Sequence, residues 1–437
     1  MFKKILVANR SEIAIRVFRA ARELRIPSVG IYSAEDRLTL HRFNTRESYR
    51  IGEGKGPIEA YLDMDGIIRI AKQSGADAIH PGYGFLSENP DFARLCAESG
   101  ITFIGPSPEI MRRLGNKVEA RTLAIEADVP VMPATEPLPH DGAEITRLAE
   151  SIGYPLMLKA SWGGGGRGMR VIEDESGLLD RVAAARREAQ AAFGNDEVYL
   201  EKLVRNARHV EVQIMGDSHG QVVHLFERDC TVQRRHQKIV ERAPAPYLSE
   251  EQRDEITSAA VRLAQSVQYC NAGTVEFLQD VDTGQFYFIE VNPRIQVEHT
   301  VTEQITGLDL VKSQIRIAAG ARIGDVDSSG IPAQENISMR GAAIQCRVTT
   351  EDPRNSFIPD YGHIVAYRSP AGPGIRLDAG TAYSGAVIGR HYDSLLVKIT
   401  TSGVSEKEAT DRMLRGLSEL RVRGVETHLA FLSALIT

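Results

Sequence analysis

Four stretches of this 437-residue chain concentrate side chains that can bind anions, hold a metal or move protons. The first is Lys159-Ala-Ser-Trp-Gly-Gly-Gly-Gly-Arg-Gly-Met169. Glycines let successive backbone N–H groups turn toward one anion, as residues with side chains seldom can. Five glycines with an embedded arginine, after a lysine at a strand end, suit a mobile flap over a triphosphate. A plain glycine run would read as a flexible hairpin tip, but the flanking cations argue for the flap. It is not a P-loop, because GxxxxGK[ST] is absent.

The second stretch is a predicted hairpin over 272–292, two β-rich runs around Asp282-Thr283-Gly284. A three-residue loop ending in glycine is a favoured connection. It pairs Val281 with Gln285 and, counting back, Glu276 with Glu290. Opposed residues have Cβ atoms ~4.5–5.5 Å apart, so the two carboxylates repel unless a cation lies between them. Oxygen-rich acidic sites suit magnesium, above all when nucleotide phosphates complete the shell. Asn292 shares the face of Glu290, while Val275, Phe277, Ile289 and Val291 are expected to form a buried layer behind.

The third stretch continues that strand as Asn292-Pro-Arg-Ile-Gln-Val-Glu-His299. Asn292, Arg294, Gln296 and Glu298 keep one parity, which alone describes an ordinary polar strand face. Arg294 can also fork onto a small planar anion such as bicarbonate, with Glu298 as general base. Fully extended, Glu290 and Glu298 would stand ~26 Å apart, so they serve two subsites or the segment bends. The fourth stretch, 227–241, carries Arg234, Arg235 and Lys238, either a solvated face or a cationic patch for phosphate or bicarbonate.

The elements that must position these groups alternate strand and helix over 1–110. Strands are predicted at 5–8, 28–32, 76–79 and 102–104, with a helix that Ser11 can cap. Such alternation argues a parallel α/β sheet. Asn9-Arg-Ser-Glu12 is not GxGxxG, so no dinucleotide site is expected. His80-Pro-Gly-Tyr-Gly-Phe-Leu-Ser-Glu88 is a loop at a strand's end, where α/β proteins bind ligands. A helix is expected over 109–127 and a proline-rich linker at 134–140. Ser249 with Gln252 forms a capping-box signal for another helix, and a last one is expected near 405–421.

The composition, 42% hydrophobic and 25% charged, is that of a globular protein. A net charge of -6 gives no support to nucleic-acid binding. Four scattered cysteines without zinc spacing suit reduced thiols in a cytoplasmic compartment. No stretch reaches the ~18 apolar residues of a membrane helix, and the start is too short in apolar residues for a signal peptide.

In series, 8–16, 80–88, 159–169, 227–241, 290–299 and 346–353 resemble the ATP-grasp fold of biotin carboxylases. Ser161-Trp162, Val348-Thr-Thr-Glu-Asp-Pro353 and Phe357-Ile-Pro-Asp-Tyr361 resemble the biotin carboxylase module of pyruvate carboxylases. The resemblance implies an α/β (α+β overall) fold in three parts. These are an N-terminal doubly wound parallel-sheet domain (1–114), an ATP-grasp domain (115–322) with a mobile glycine-rich lid near 135–203, and a mixed C-terminal domain (323–437).

It further implies that Lys117, Lys159, Gly164, Gly165, Gly166, Glu201, Lys202, Leu203, His209, Gln233 and His236 hold ATP. Glu276, Glu290 and Asn292 would hold two Mg²⁺ ions, with Mn²⁺ an alternative. Lys238, Arg294, Gln296 and Val297 would hold bicarbonate. Glu298 would be the base, Arg347 would stabilise the biotin enolate, and Tyr83 and Gly84 would seat biotin.

The implied activity is carboxylation of biotin N1 through carboxyphosphate, the first half-reaction toward oxaloacetate. The implied partners are a biotin carboxyl carrier domain and a carboxyltransferase domain, in a homodimer as an isolated module or a homotetramer in a longer enzyme. A Met-Lys-Met biotin site and a carboxyltransferase region are absent from the sequence, so a separate subunit or an N-terminal portion is expected. Glycine is frequent in the family where this chain has Ser11. The rivals are another ATP-grasp ligase, another acyl-CoA carboxylase subunit and a silent nucleotide-binding scaffold.

Overall fold

The computed structural model describes residues 1–162 and 169–437; the glycines called at Gly164, Gly165 and Gly166 lie outside the described residues. The apolar run Ile5–Val7 is completely buried and forms the central strand of a five-stranded parallel sheet. Ser28–Tyr32 and then Glu47–Arg50 lie on one side of it, Ala78–His80 and then Thr102–Phe103 on the other. Strand order therefore reverses at Ile5–Val7, and the chain leaving it and leaving Ala78–His80 opens one crevice, as doubly wound sheets do.

The helix after the first strand, Ser11–Glu23, is present, but Ser11 does not cap it. Arg10 holds the cap position without a side-chain bond, and Ser11 is the first helical residue at φ 58, a left-handed conformation that favours glycine. The helix expected over 109–127 is two, Pro108–Gly115 and Lys117–Glu126. Asn116 is extended between them, and its side chain accepts from the N–H groups of Val118 and Glu119, both at 3.0 Å. The break makes Lys117 the first residue of a new helix, facing the central cavity.

A small unit follows, with strands Arg170–Ile172, Leu156–Ala160 and Val198–Lys202 and helices Gly142–Ile152 and Leu178–Phe193. It has its own core of Leu156, Leu158, Ile172, Val198 and Leu200. The largest sheet is antiparallel, with eight strands in the spatial order Phe286–Asn292, Asn271–Asp280, Ala207–Gly216, Val222–Arg234, Gln237–Ala243, Ala342–Thr349, Leu395–Gly403 and Ile375–Ala379. It runs without a break from the acidic hairpin to the C-terminal region, so Arg347 and the carboxylates belong to one sheet. Helix Glu250–Ser266 packs on it through Ile256, Ala260 and Leu263, and the expected Ser249–Gln252 capping box is formed.

Glu276 does oppose Glu290, by a different count from the one expected. Near the tip the partners are Gln279 with Phe286 and Phe277 with Phe288, one residue out of the predicted register. A bulge between Phe288 and Glu290 restores it, and Ile289 turns out of the buried layer to line the cavity. At the C-terminus, Glu406–Glu419 matches expectation, while Leu429–Ile436 was not anticipated. Its eight residues, LAFLSALI, are nearly all apolar and carry no helical periodicity to detect. Among the described residues no helix is long and apolar enough to cross a membrane.

Burial holds the neutral imidazoles of His41 and His80 at about 4 and about 3, and His80 Nδ1 accepts a bond from the Gly82 N–H at 3.0 Å. The unfolded chain takes up these protons near the ordinary value of 6.5, the folded chain only well below it. This contribution to stability is full above pH 6.5 and is lost as pH falls toward 4. The urea midpoint is expected to drop between about pH 7.5 and about pH 5. An unchanged midpoint over that interval would mean that both rings take up protons as readily in the folded state as in the unfolded chain.

Candidate active site

One cavity of about 1020 Å³ lies between the parallel-sheet crevice, the small unit and the large sheet. Every described residue called from the sequence lines it: Lys117, Lys159, Glu201, Lys202, Leu203, His209, Gln233, His236, Lys238, Glu276, Glu290, Asn292, Arg294, Gln296, Val297, Glu298, Arg347, Tyr83 and Gly84.

At its floor Lys238 meets three buried carboxylates. Its Nζ donates to Glu276 at 2.9 Å, to Glu298 at 2.8 Å and to Glu211. Strand geometry produces this cluster. Glu211 and Glu276 face each other across one ladder, and Lys238 comes from the second strand beyond Glu211. Burial works against a charged lysine, but the three acids outweigh it and hold Lys238 well above its ordinary range. Lys238 and Arg234, whose Nη2 donates to both oxygens of Glu351 at 2.7 and 2.8 Å, are thus no solvated face; Arg235 alone of the three is exposed. Arg235 and His236, at φ 49 and 67, form a two-residue turn that ends the hairpin and brings Gln233 and His236 to the cavity.

The expected strand face beyond Asn292 is not formed. The ladder stops there, where Pro293 offers no N–H, and the chain bends until Glu298 stands at the head of helix His299–Thr306. The bend, not parity, brings Arg294, Gln296 and Glu298 to the cavity. Gln296 Nε2 and Asn292 Nδ2 both donate to Glu276 at 2.8 Å, so the acidic hairpin and the bend share one network. Arg294 pairs with Glu88 at 3.0 Å, which ties the 80–88 loop to the bend. Arg347 reaches Glu298 at 3.0 Å and is anchored behind by Glu241. Burial would raise the Glu298 carboxyl, but Lys238 and then Arg347 hold it below the usual carboxylate range, against the repulsion of Glu211.

For a metal, the hard oxygens of opposed Glu276 and Glu290, with Asn292 beside them, form a set that fits Mg²⁺ with phosphate ligands completing the shell. The same carboxylates are balanced here by protein cations. His209 lies 2.8 Å from Glu276, and Lys117 lies 3.3 Å from Glu290. Burial disfavours charged His209, but Glu276 outweighs it and His209 rises to about 9. Glu276 falls to about 2, burial being overcome by Lys238 and His209. Toward the small unit, Lys159 pairs with Glu201 on the neighbouring strand, next to Lys202 and Leu203.

Sequence reasoning singled out no role for Arg228, Glu211 or Glu241. Arg228 is completely buried and donates to Glu211 (2.6 Å), Gln213 (2.7 Å), Gln296 (2.7 Å), Thr302 (3.0 Å) and Thr274 (3.1 Å). An arginine at an inward position of an apolar strand pattern is a signal that could have exposed it.

Family models match in succession: Biotin carboxylase, N-terminal domain, over 1–111; Carbamoyl-phosphate synthase L chain, ATP binding domain, over 116–326; and Biotin carboxylase C-terminal domain, over 345–437. Pyruvate carboxylase of Staphylococcus aureus is 56% identical over 431 residues, which are 98% of this chain and 37% of that protein. A Rhizobium etli pyruvate carboxylase structure with the allosteric activator acetyl coenzyme-A superposes with a TM-score of 0.96 at 64% identity, over all of this chain and 39% of that one. This chain thus spans well under half the length of those relatives. The biotin carboxylase domain of Hydrogenobacter thermophilus 2-oxoglutarate carboxylase, solved as a dimer with MgADP, ADP and bicarbonate, gives a TM-score of 0.95 at 45% identity. That match covers all of this chain and 94% of the other. A near-complete match at this identity, together with the biotin carboxylase N- and C-terminal models at the two ends of the chain, shows that the chain belongs to the biotin carboxylase family of ligases.

Proposed function

We propose that this chain carboxylates biotin N1 with ATP and bicarbonate, and that Glu298 is its base. The observation that carries the reading is the convergence of Lys238 and Arg347 on Glu298, at the floor of a cavity that Lys117, Lys159 and His209 also line. Lys238, Arg294, Gln296 and the Val297 backbone hold bicarbonate. Glu201, Lys202 and Leu203 read adenine, with Gln233 and His236 beside them. Lys117, Lys159 and His209 face the phosphates, and Tyr83 and Gly84 seat biotin.

Glu298 takes the bicarbonate proton, and the freed oxygen attacks the γ-phosphorus of ATP as ADP leaves. Two anions are thereby brought together, and positioned cations lower that cost. Lys238 and Arg347 pair with Glu298 in this structure, which keeps it a weak base. When substrates draw either cation away, its proton affinity rises at the moment a base is needed. Carboxyphosphate then breaks to CO₂ and phosphate. The phosphate takes the ureido N1 proton, and the biotin enolate, held by Arg347, attacks CO₂. Two Mg²⁺ ions held by Glu276, Glu290 and Asn292 would offset phosphate charge.

Pyruvate as the later acceptor, a carrier domain that delivers biotin, a carboxyltransferase domain and a dimeric module are parts of the same proposal. They are supported by similarity to the longer pyruvate carboxylases and to the dimeric carboxylase domain. All four cysteines are free, which suits a reducing compartment, and we place the protein in the cytoplasm.

Phosphate release from MgATP is expected to require bicarbonate and to rise with free biotin. In Glu298→Gln it should fall by about 10²–10⁴-fold, the usual scale of general-base loss. Release that ignores biotin would instead assign the site to another ATP-grasp ligase. Arg347→Ala should lower carboxybiotin formation by about 10²–10³-fold, the scale of a lost oxyanion donor, with a smaller effect on phosphate release without biotin. Equal losses in both assays would remove Arg347 from the enolate step.

A further inference from the structure

A fully buried lysine that the mechanism does not use, Lys398, lies directly behind the proposed base. It comes from strand Leu395–Gly403, where it is paired in register with Arg347 on one side and Asp378 on the other. Directly opposed residues point to the same face of a sheet, so Lys398 and Arg347 reach the same bend of chain. Arg347 donates to the Glu298 carboxylate at 3.0 Å, and Lys398 donates to the carbonyl of Val297 at 2.9 Å. The two cations thus hold one peptide unit from two points, the side chain of the base and the carbonyl immediately before it.

Lys398 is in turn linked to the opposite wall. Its Nζ lies 3.2 Å from Glu12, a carboxylate only 4% exposed at the start of helix Ser11–Glu23. The other oxygen of Glu12 accepts a bond from the Tyr83 hydroxyl, in the loop proposed to seat biotin. Burial pushes the Glu12 carboxyl up, opposed first by Lys398. Asp378, His299 and Arg376 are the other charged or titratable groups around this pair. A Tyr83–Glu12–Lys398–Val297 line therefore crosses from the biotin wall to the base.

We propose that Lys398 and Glu12 are positioning residues that set the Val297–Glu298 peptide in register with Tyr83, so that the bicarbonate and biotin halves of the site are aligned by one buried ion pair. An interdomain staple alone would not need its lysine aimed at the one carbonyl adjoining the base. Only a group with a free N–H and a long arm can hold that carbonyl while staying paired to Glu12. Lys159, Glu201 and Lys202, assigned to the nucleotide, stand on the separate three-stranded sheet of the small unit, so the line predicts a selective defect.

This inference rests on the biotin carboxylase reading, and wild-type phosphate release that depends on bicarbonate and rises with biotin is the control for that reading. In Lys398→Met, kcat/KM for bicarbonate is expected to fall about 10²-fold, the scale of a misplacement near 1 Å, with KM for ATP within about twofold of wild type. Lys398→Arg should recover part of the loss. Glu12→Gln should reduce stimulation by biotin more than it reduces release without biotin. The double variant Glu12→Gln/Lys398→Met should be no worse than Lys398→Met, since the pair acts as one unit. If Lys398→Met does not fold, Lys398→Arg and Glu12→Gln carry the test alone. Unchanged bicarbonate parameters, or ATP and bicarbonate parameters falling in the same proportion, would overturn the proposal while leaving the carboxylase reading intact.

Discussion

A buried lysine shared by three carboxylates is the interaction on which the rest of this site depends. Lys238 stands among Glu211, Glu276 and Glu298, each almost fully withdrawn from water. Burying one such acid without a partner costs several kcal/mol, and three together repel one another as well. One ammonium cannot neutralise three carboxylates. The balance is completed by Arg228 on Glu211, His209 on Glu276 and Arg347 on Glu298. Each cation comes from a different strand or a different part of one, so charge balance and sheet register constrain each other.

That arrangement has a chemical consequence. The acids are ionised but restrained, and the cations that restrain them are of the kind that anionic substrates would recruit. A site whose positive groups are already paired can accept phosphate and bicarbonate by turning those cations from protein carboxylates to the incoming anions. Arg228 stands apart from that exchange. Five protein acceptors surround it at depth, and it fixes Gln296 so that its amide N–H₂ points to Glu276. The eight-stranded sheet makes this possible, because it carries the acidic hairpin, the intervening strand Ala207–Gly216, the cationic hairpin and Arg347 in one unbroken run.

Local signals did well where local physics decides. The alternation of strand and helix over the first hundred residues, the capping box at Ser249 and the opposition of Glu276 and Glu290 were all legible. The last came through by compensation: the hairpin tip is one residue out of the counted register, and the bulge at Ile289 cancels it. Parity misled beyond Asn292, because a period-2 pattern continues on paper after Pro293 has ended the ladder. The single helix expected over 109–127 failed at Asn116, whose side chain competes for the N–H groups that a continuing helix would use.

By itself, the sequence determined the early alternation of strand and helix, the capping box at Ser249, which residues could serve as ligands or bases, and the family resemblance, because propensity, capping and motif order act over a few residues at a time. Tertiary structure alone decided which acid meets which cation. Glu211, Lys238, Glu298, Arg347 and Lys398 lie far apart along the chain, yet they converge within hydrogen-bond reach through neighbouring strands and one bend. Coulomb energy depends on the distance between charges and on the water excluded between them. Neither quantity exists until the sheet has assembled, so the pairing that tunes Glu298 is a property of the fold.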